Sequence, residues 1–159
     1  MMTKLRVPRL WLALALALAL ALLVSVPFFA QASATERGTG SLVGVWRMTS
    51  LEVGTEGNLQ PVPYSGQIVF TKSGTMSVQA MNPDANAPDT PYTKNGYEAF
   101  YGTFTINKAA RTFVVTVESS LARDLMGQSL TRAFRVSGNT LVLTPPNPAE
   151  GWRATYQRV

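Results

Sequence analysis

From Leu42 onward, apolar and polar residues alternate in short runs that are separated by residues typical of turns. A period of two is the pattern of β-strands that bury one face, and a regular succession of such runs is typical of all-β sandwiches and barrels. The pattern predicts about eight strands, at 45–53, 67–71, 75–81, 99–106, 112–118, 130–136, 140–144 and 152–158. Eight is a common strand number for a closed up-and-down barrel.

The links between these runs indicate an antiparallel meander. The links at 72–74, 107–110 and 137–139 are short and rich in turn residues, so the strands on either side of each are expected to pair as hairpins. The link at 82–98 differs, because it is long and contains three prolines and an Asn-Gly pair. Two interpretations stay open for it: a lid over the mouth of a barrel, or a solvated insertion.

One charged residue falls on an apolar strand face. In the run 130–136, Arg132 has the same parity as Leu130, Phe134 and Val136. Burying a guanidinium without a partner is very costly. Arg132 is therefore expected to meet a carboxylate of the protein or an anionic or carbonyl-bearing ligand, or to lie near a wet end of the barrel.

The first strand, within "SLVGVWRMTSLEV", contains a glycine two residues before a tryptophan. Trp46 and Met48 alternate together, whereas Leu51 and Val53 have the opposite parity. A bend or β-bulge near Ser50 is expected to cause this switch.

The N-terminal residues predict export. The uncharged apolar run 11–30 follows Lys4, Arg6 and Arg9 and precedes an A-x-A sequence at 32–34. This order is typical of a secretory signal peptide, here residues 1–34, although the run is also long enough for an uncleaved membrane anchor. The chain then divides into a polar lead-in at 35–41 and a barrel domain at 42–159. We expect a periplasmic or secreted protein or, if the segment is retained, one anchored in the membrane by residues 11–30.

Composition narrows the chemistry. From Thr35 onward there are eleven Lys and Arg against nine Asp and Glu, without a dense basic cluster, so nucleic-acid binding is not expected. The membrane is expected as a partner only through the N-terminal segment, if it is uncleaved. The chain contains no cysteine and no histidine, which excludes disulfides, thiol catalysis and histidine-based nucleophile pairs. Acid-base chemistry is left to carboxylates, tyrosines and lysines, and we predict neither a metal nor a cofactor.

Several ordered segments together resemble a known family. "LVGVWRMTSLEV", "GQIVFTKSGTMSVQAM", "YEAFYGTFTIN", "RAFRVSGNTLVLTPP" and "ATYQRV" resemble the bacterial and fungal lipocalin-like domain family. The resemblance implies a small calycin-type β-barrel, in which Gly44-Val45-Trp46 looks like the G-x-W that opens the first strand. It also implies that an arginine near the chain end packs over that tryptophan and closes the barrel, and Arg158 is the best match by position. Arg132 matches an arginine common in the corresponding segment of the family.

The chain departs from the family's pattern in one strand. Family members often carry histidine in the strand before the matched arginine, where this chain reads "FVVTVESS", so any acid-base role of such a histidine does not apply. Related small barrels bind hydrophobic molecules, and a few barrels of this shape perform cyclisations or isomerisations.

These observations predict an all-β, eight-stranded antiparallel up-and-down barrel that binds a small apolar or amphipathic ligand. The predicted ligand-binding residues are Arg132, Met76, Val78, Phe104, Phe134 and Tyr156, with Arg132 meeting a polar end of the ligand. Gly44, Trp46 and Arg158 are predicted to close the barrel, and no catalytic residue is assigned. Two alternatives stay open: a cyclase or isomerase that uses the same cavity through a tyrosine or carboxylate, and a packed structural barrel without a ligand.

Overall fold

The computed structural model describes residues 41–159, which form nine antiparallel β-strands and two short 3-10 helices. The predicted signal peptide at 1–34 lies outside the described residues. No helix within 41–159 has the length and apolar character needed to cross a membrane. The strands are β1 (Gly44–Thr55), β2 (Asn58–Val62), β3 (Ser65–Phe70), β4 (Thr75–Met81), β5 (Tyr97–Asn107), β6 (Thr112–Ser120), β7 (Ser129–Ser137), β8 (Thr140–Thr144) and β9 (Trp152–Arg158), and the 3-10 helices are Arg123–Leu125 and Pro148–Glu150.

Eight of the strands form a closed barrel, as the alternation predicts. Each of β3 to β8 pairs with the next strand, β1 pairs with β3, and β9 returns to pair with β1. Full closure leaves these eight strands without a free edge. The barrel is therefore a meander of consecutive antiparallel neighbours, with inward and outward side chains alternating along each strand.

The ninth strand, β2, was not predicted from the sequence. Within residues 41–159 it pairs only with the last residues of β1, from Leu51 to Thr55, on the side opposite β9, and so continues the line of β3 along the same edge of β1. Its Pro61 has no backbone N–H, which an edge strand tolerates and a central strand does not. The segment lacks the apolar alternation of a strand with one buried face, and none of its residues is buried.

The predicted irregularity in the first strand is confirmed. The pairing of β1 with β9 shifts register between Met48 and Ser50. One extra residue at this point bends the strand and moves the following side chains to the opposite parity. Trp46, Met48 and Leu51 thereby all pack with the barrel core despite their uneven spacing.

The antiparallel order gives the barrel two different ends. The first, which we call the closed end, carries the tight links 71–74, 108–111 and 138–139, together with the start of β1 and the end of β9. The opposite end carries the longer connections 56–64, 82–96, 121–128 and 145–151. We call it the loop end, and its connections are long enough to fold over the barrel opening.

The sequence prediction placed one boundary at this end wrongly. The link predicted at 82–98 ends at Gly96, and β5 begins at Tyr97. Glu98 therefore belongs to a barrel strand, where it pairs with Ala80 of β4, and not to a loop. The turn residues Asn95 and Gly96, both with positive φ, end the loop immediately before the strand.

Candidate ligand-binding cavity

The closed end is sealed by a tryptophan and an arginine. The side chain of Trp46 is fully buried, and its Nε1 donates a hydrogen bond of 2.8 Å to the carbonyl oxygen of Leu42. The guanidinium carbon of Arg158 lies 3.9 Å from the centroid of the Trp46 ring. Arg158 also donates to the carbonyl oxygens of Val43, at 2.8 Å, and Ser41, at 2.7 Å. These contacts tie the segment before β1 to the last strand.

A layer of phenylalanines fills the barrel next to this seal. Phe70, Phe104 and Phe113 meet edge to face, with the Phe70 centroid 5.1 Å from that of Phe104 and 5.2 Å from that of Phe113. Phe134 packs against Phe113 with a centroid separation of 6.4 Å. Edge-to-face contacts of this kind add to the stability gained from burial alone. Solvent has no passage through the barrel at this level, because the rings occupy the interior.

Beyond the phenylalanine layer, the barrel contains a cavity of about 350 Å³ that opens toward the loop end. Its wall is mainly apolar and includes Met48, Ile68, Met76, Val78 and Leu143. The size is within the range of small-molecule sites, which are commonly apolar clefts with a few convergent polar groups. The polar groups here are a guanidinium, a carboxyl group and tyrosine hydroxyls.

Arg132 supplies the positive charge of the cavity. Arg132 pairs with Phe113 on the neighbouring strand β6, so its side chain points into the barrel, as the parity predicts. The guanidinium carbon lies 5.4 Å from the ring centroid of Tyr92 and 5.2 Å from that of Trp152. Its Nη1 donates a hydrogen bond of 2.9 Å to the carbonyl oxygen of Thr131. These two cation–π contacts hold the guanidinium in place without neutralising its charge.

No ion pair formed by residues 41–159 includes Arg132. The internal salt bridge that the sequence left open as its partner is therefore not formed in the described part of the chain. The five N–H groups of a guanidinium suit a planar acceptor such as a carboxylate, and most of those on Arg132 have no acceptor in the described residues.

Glu98 is the second charged group in the cavity wall. Burial raises the pKa of its carboxyl group to about 7, and the nearby charge of Arg132 opposes this rise only in part. A carboxyl group with this pKa exchanges its proton near neutral pH, which an ordinary glutamate does not do. The cavity thus contains a group that can hold or release a proton under physiological conditions.

Two tyrosines face the same space. Tyr156 of β9 and Tyr64, which precedes β3, both line the cavity. Burial raises the pKa of each hydroxyl, and the negative charge of Glu98 raises both further. Both hydroxyls therefore stay protonated near neutral pH and can donate hydrogen bonds to a bound molecule.

The loop at 82–96 forms the outer wall of the cavity. Its residues 90–93 line the space, and Tyr92 is the residue that contacts Arg132. Asp89 fixes the loop, because its carboxylate accepts hydrogen bonds from Lys94 Nζ, at 3.1 Å, and from the backbone N–H of Asn95, at 2.8 Å. The hydroxyls of Thr90 and Thr93 are 2.9 Å apart, and Thr93 is buried. The loop is thus tied to itself and seated over the barrel mouth.

Four of the six residues predicted to bind a ligand come together in this cavity: Arg132, Met76, Val78 and Tyr156. The other two, Phe104 and Phe134, are part of the phenylalanine layer and do not line the cavity. Glu98 was not predicted. It has the same parity as Phe100 and Phe104, so extending the inward face of β5 by one step toward its start identifies it.

The structure therefore describes a small closed β-barrel with a sealed end and an internal cavity covered by a loop. The chain belongs to the lipocalin-like domain family, whose model matches residues 43–158. A search among curated proteins found no significant match.

Proposed function

We propose that this chain is an exported binding protein whose barrel holds a small apolar or amphipathic molecule with an anionic or carbonyl-bearing end at Arg132. The observation that carries the proposal is the guanidinium of Arg132, which lies in the wall of a mainly apolar cavity and forms no ion pair within residues 41–159. A charge in such a place is costly unless a partner satisfies it, and a ligand carboxylate provides that partner. A cavity of about 350 Å³ also argues against a solidly packed structural barrel.

The proposal is tested by titrating the purified protein with decanoate and with decanol, which share an alkyl chain and differ in charge. We expect decanoate to bind more tightly, because a charge-assisted hydrogen bond stabilises a complex by about 1.5 to 3 kcal/mol. Arg132→Gln is expected to weaken decanoate binding by about tenfold or more while leaving decanol binding nearly unchanged. Isothermal titration calorimetry measures both affinities.

The matched control is Arg135→Gln. Arg135 lies on the same strand, β7, but is exposed on the outer surface of the barrel. We expect this variant to bind both probes like the unmodified protein. If neither probe binds, or if Arg132→Gln and Arg135→Gln behave alike, the proposal is contradicted. Native mass spectrometry of the exported protein is a separate measurement. It shows whether the chain is cleaved after Ala34 and whether a molecule is retained during purification.

Glu98 supports a second candidate function, an isomerase or cyclase that moves a proton within a bound substrate. A carboxyl group with a pKa of about 7 serves as general base and general acid near neutral pH. The protonated hydroxyls of Tyr64 and Tyr156 can donate to a developing oxyanion. The test is to incubate a bound molecule with the protein and to analyse the recovered molecule by chromatography and mass spectrometry. Recovery as an isomer supports this function, and recovery unchanged supports binding alone.

A further inference from the structure

Two side chains of opposite charge line the cavity, and an anionic ligand changes the net charge inside it. Arg132 and ionised Glu98 together make the wall neutral, although the two side chains do not form an ion pair in the described part of the chain. An anionic ligand at Arg132 adds one negative charge to an apolar, enclosed space. An excess charge in such surroundings is expensive, so the complex gains stability if one charge is removed.

We propose that the cavity takes up a monoanionic amphiphile together with one proton, and that Glu98 holds this proton. The inference rests on the proposed binding function and adds to it the charge state of the ligand and the residue that compensates it. Protonation of Glu98 removes the repulsion between its carboxylate and the anionic group of a ligand in the same cavity. Protonated Glu98 also provides an O–H group that can donate a hydrogen bond to the ligand, whereas an ionised carboxylate can only accept one.

Other groups around Glu98 do not compete for the proton near neutral pH. The titratable and charged groups that line the cavity within residues 41–159 are Arg132, Tyr64, Tyr92, Tyr156 and Glu98 itself. Arginine keeps its proton throughout this range, and tyrosine hydroxyls titrate well above it. The chain contains no histidine. Burial already raises the pKa of the Glu98 carboxyl group to about 7, so the further rise caused by a neighbouring anion leaves this group mostly protonated at neutral pH.

The sign of the pH dependence follows from this arrangement. At pH 6 the carboxyl group is mostly protonated before the ligand arrives, so binding requires little further proton uptake. At pH 8.5 it is ionised in the free protein, and binding either takes a proton from solvent or places two negative charges together. Affinity is therefore expected to fall by about tenfold between pH 6 and pH 8.5.

The test uses decanesulfonate, because a sulfonate does not titrate in this range and cannot hold the proton itself. Calorimetric titration at pH 7.5 in two buffers with different ionisation enthalpies measures the number of protons taken up. We expect more than half a proton per decanesulfonate bound to the unmodified protein. Glu98→Gln is expected to take up none and to bind with an affinity that is nearly independent of pH from 6 to 8.5.

The matched control is Glu118→Gln, which changes an exposed carboxylate on β6. This variant is expected to keep both the proton uptake and the pH dependence. Binding without proton uptake, or an unchanged pH dependence in Glu98→Gln, overturns the inference while the proposed binding function stands. Failure of decanesulfonate, decanoate and decanol alike to bind overturns the binding function itself. Thermal unfolding of each variant at pH 6 shows whether it is folded before it is titrated.

Discussion

Gly44 lies where a side chain would collide with the seal of the barrel. Its φ is +146°, a backbone conformation that residues other than glycine rarely adopt, and a Cβ built there would clash with the guanidinium of Arg158. The guanidinium is itself held by the Trp46 ring and by two backbone carbonyls. The glycine of the G-x-W sequence is thus required by the close approach of Arg158 as well as by the backbone.

We expect Gly44→Ala to lower the free energy of unfolding by about 2 kcal/mol or more, since it combines backbone strain with a displaced Arg158. Urea unfolding monitored by circular dichroism measures the change. Gly57→Ala is the control, because Gly57 also has a positive φ, +79°, but a Cβ there meets no other atom within 4 Å. Its cost should be smaller, of the order of 1 kcal/mol from strain alone. Equal costs for the two variants would contradict the role assigned to Arg158.

The side chains that meet in the cavity were only partly predictable, for a reason that individual residues make clear. Alternation along a strand indicates whether a side chain points into the barrel, and it identified Arg132, Met76, Val78 and Tyr156 correctly as inward residues. It does not indicate how far along the barrel axis a side chain lies. Phe104 points inward as well, but it belongs to the phenylalanine layer near the closed end.

Glu98 was missed for a related reason. The turn residues that precede it and its own charge favoured a loop, whereas the structure continues the inward face of β5 to its second residue. A charged residue that contributes to a binding site interrupts the apolar alternation of its strand at that position. Sequence patterns therefore predict the walls of such a cavity better than its polar groups.

Among the connecting segments, the loop at 82–96 determines access to the cavity. Tyr92 covers Arg132, and the position of residues 90–93 depends on the hydrogen bonds that Asp89 accepts at the base of the loop. The hydrogen bond from the backbone N–H of Asn95, together with the Lys94 ammonium, keeps the pKa of Asp89 low. This carboxylate therefore stays ionised, and the loop stays fastened, throughout the neutral pH range.

Asp89→Ala is expected to loosen the loop without unfolding the barrel. Amide hydrogen exchange should become faster within 82–96 and stay unchanged in the barrel strands, and decanoate should dissociate several times faster in stopped-flow measurements. Asp84→Ala is the control, since Asp84 lies in the same loop and its carboxylate, within the described part of the chain, accepts only from the backbone N–H of Asn86. If both variants release the ligand at the rate of the unmodified protein, the loop does not control access.

Over the molecule as a whole, the meander that the sequence predicts accounts for the closed barrel, and the strand that it does not predict extends the line of β3 along β1. β2 follows β1 in a hairpin and, within residues 41–159, pairs with β1 alone. The carboxyl group of Glu98 lies inside this closed barrel, so its protonation affects the free energy of unfolding of the whole barrel. Glu98 couples that stability to pH.

The direction of this coupling follows from the pKa of Glu98 in the two states. Its value rises from 4.5 to about 7 on folding. Below pH 4.5 the group is protonated in both states and has no effect. Between 4.5 and about 7 the unfolded chain releases the proton while the folded protein retains it, so the free energy of unfolding falls as the pH rises. Above about pH 7 the loss is complete and amounts to at most about 3 kcal/mol.

Urea unfolding at pH 5, 6, 7 and 8.5 is therefore expected to show a stability that declines with pH and then levels off. Glu98→Gln should remove the decline between pH 5 and 7 and leave the protein more stable than the unmodified chain at pH 8.5, because a neutral amide replaces a buried charge. Glu118→Gln, at an exposed position, should keep the decline. The chain contains no histidine that could titrate in this window. A decline that persists unchanged in Glu98→Gln would therefore show that the carboxyl group of Glu98 has the same pKa in the folded and unfolded protein.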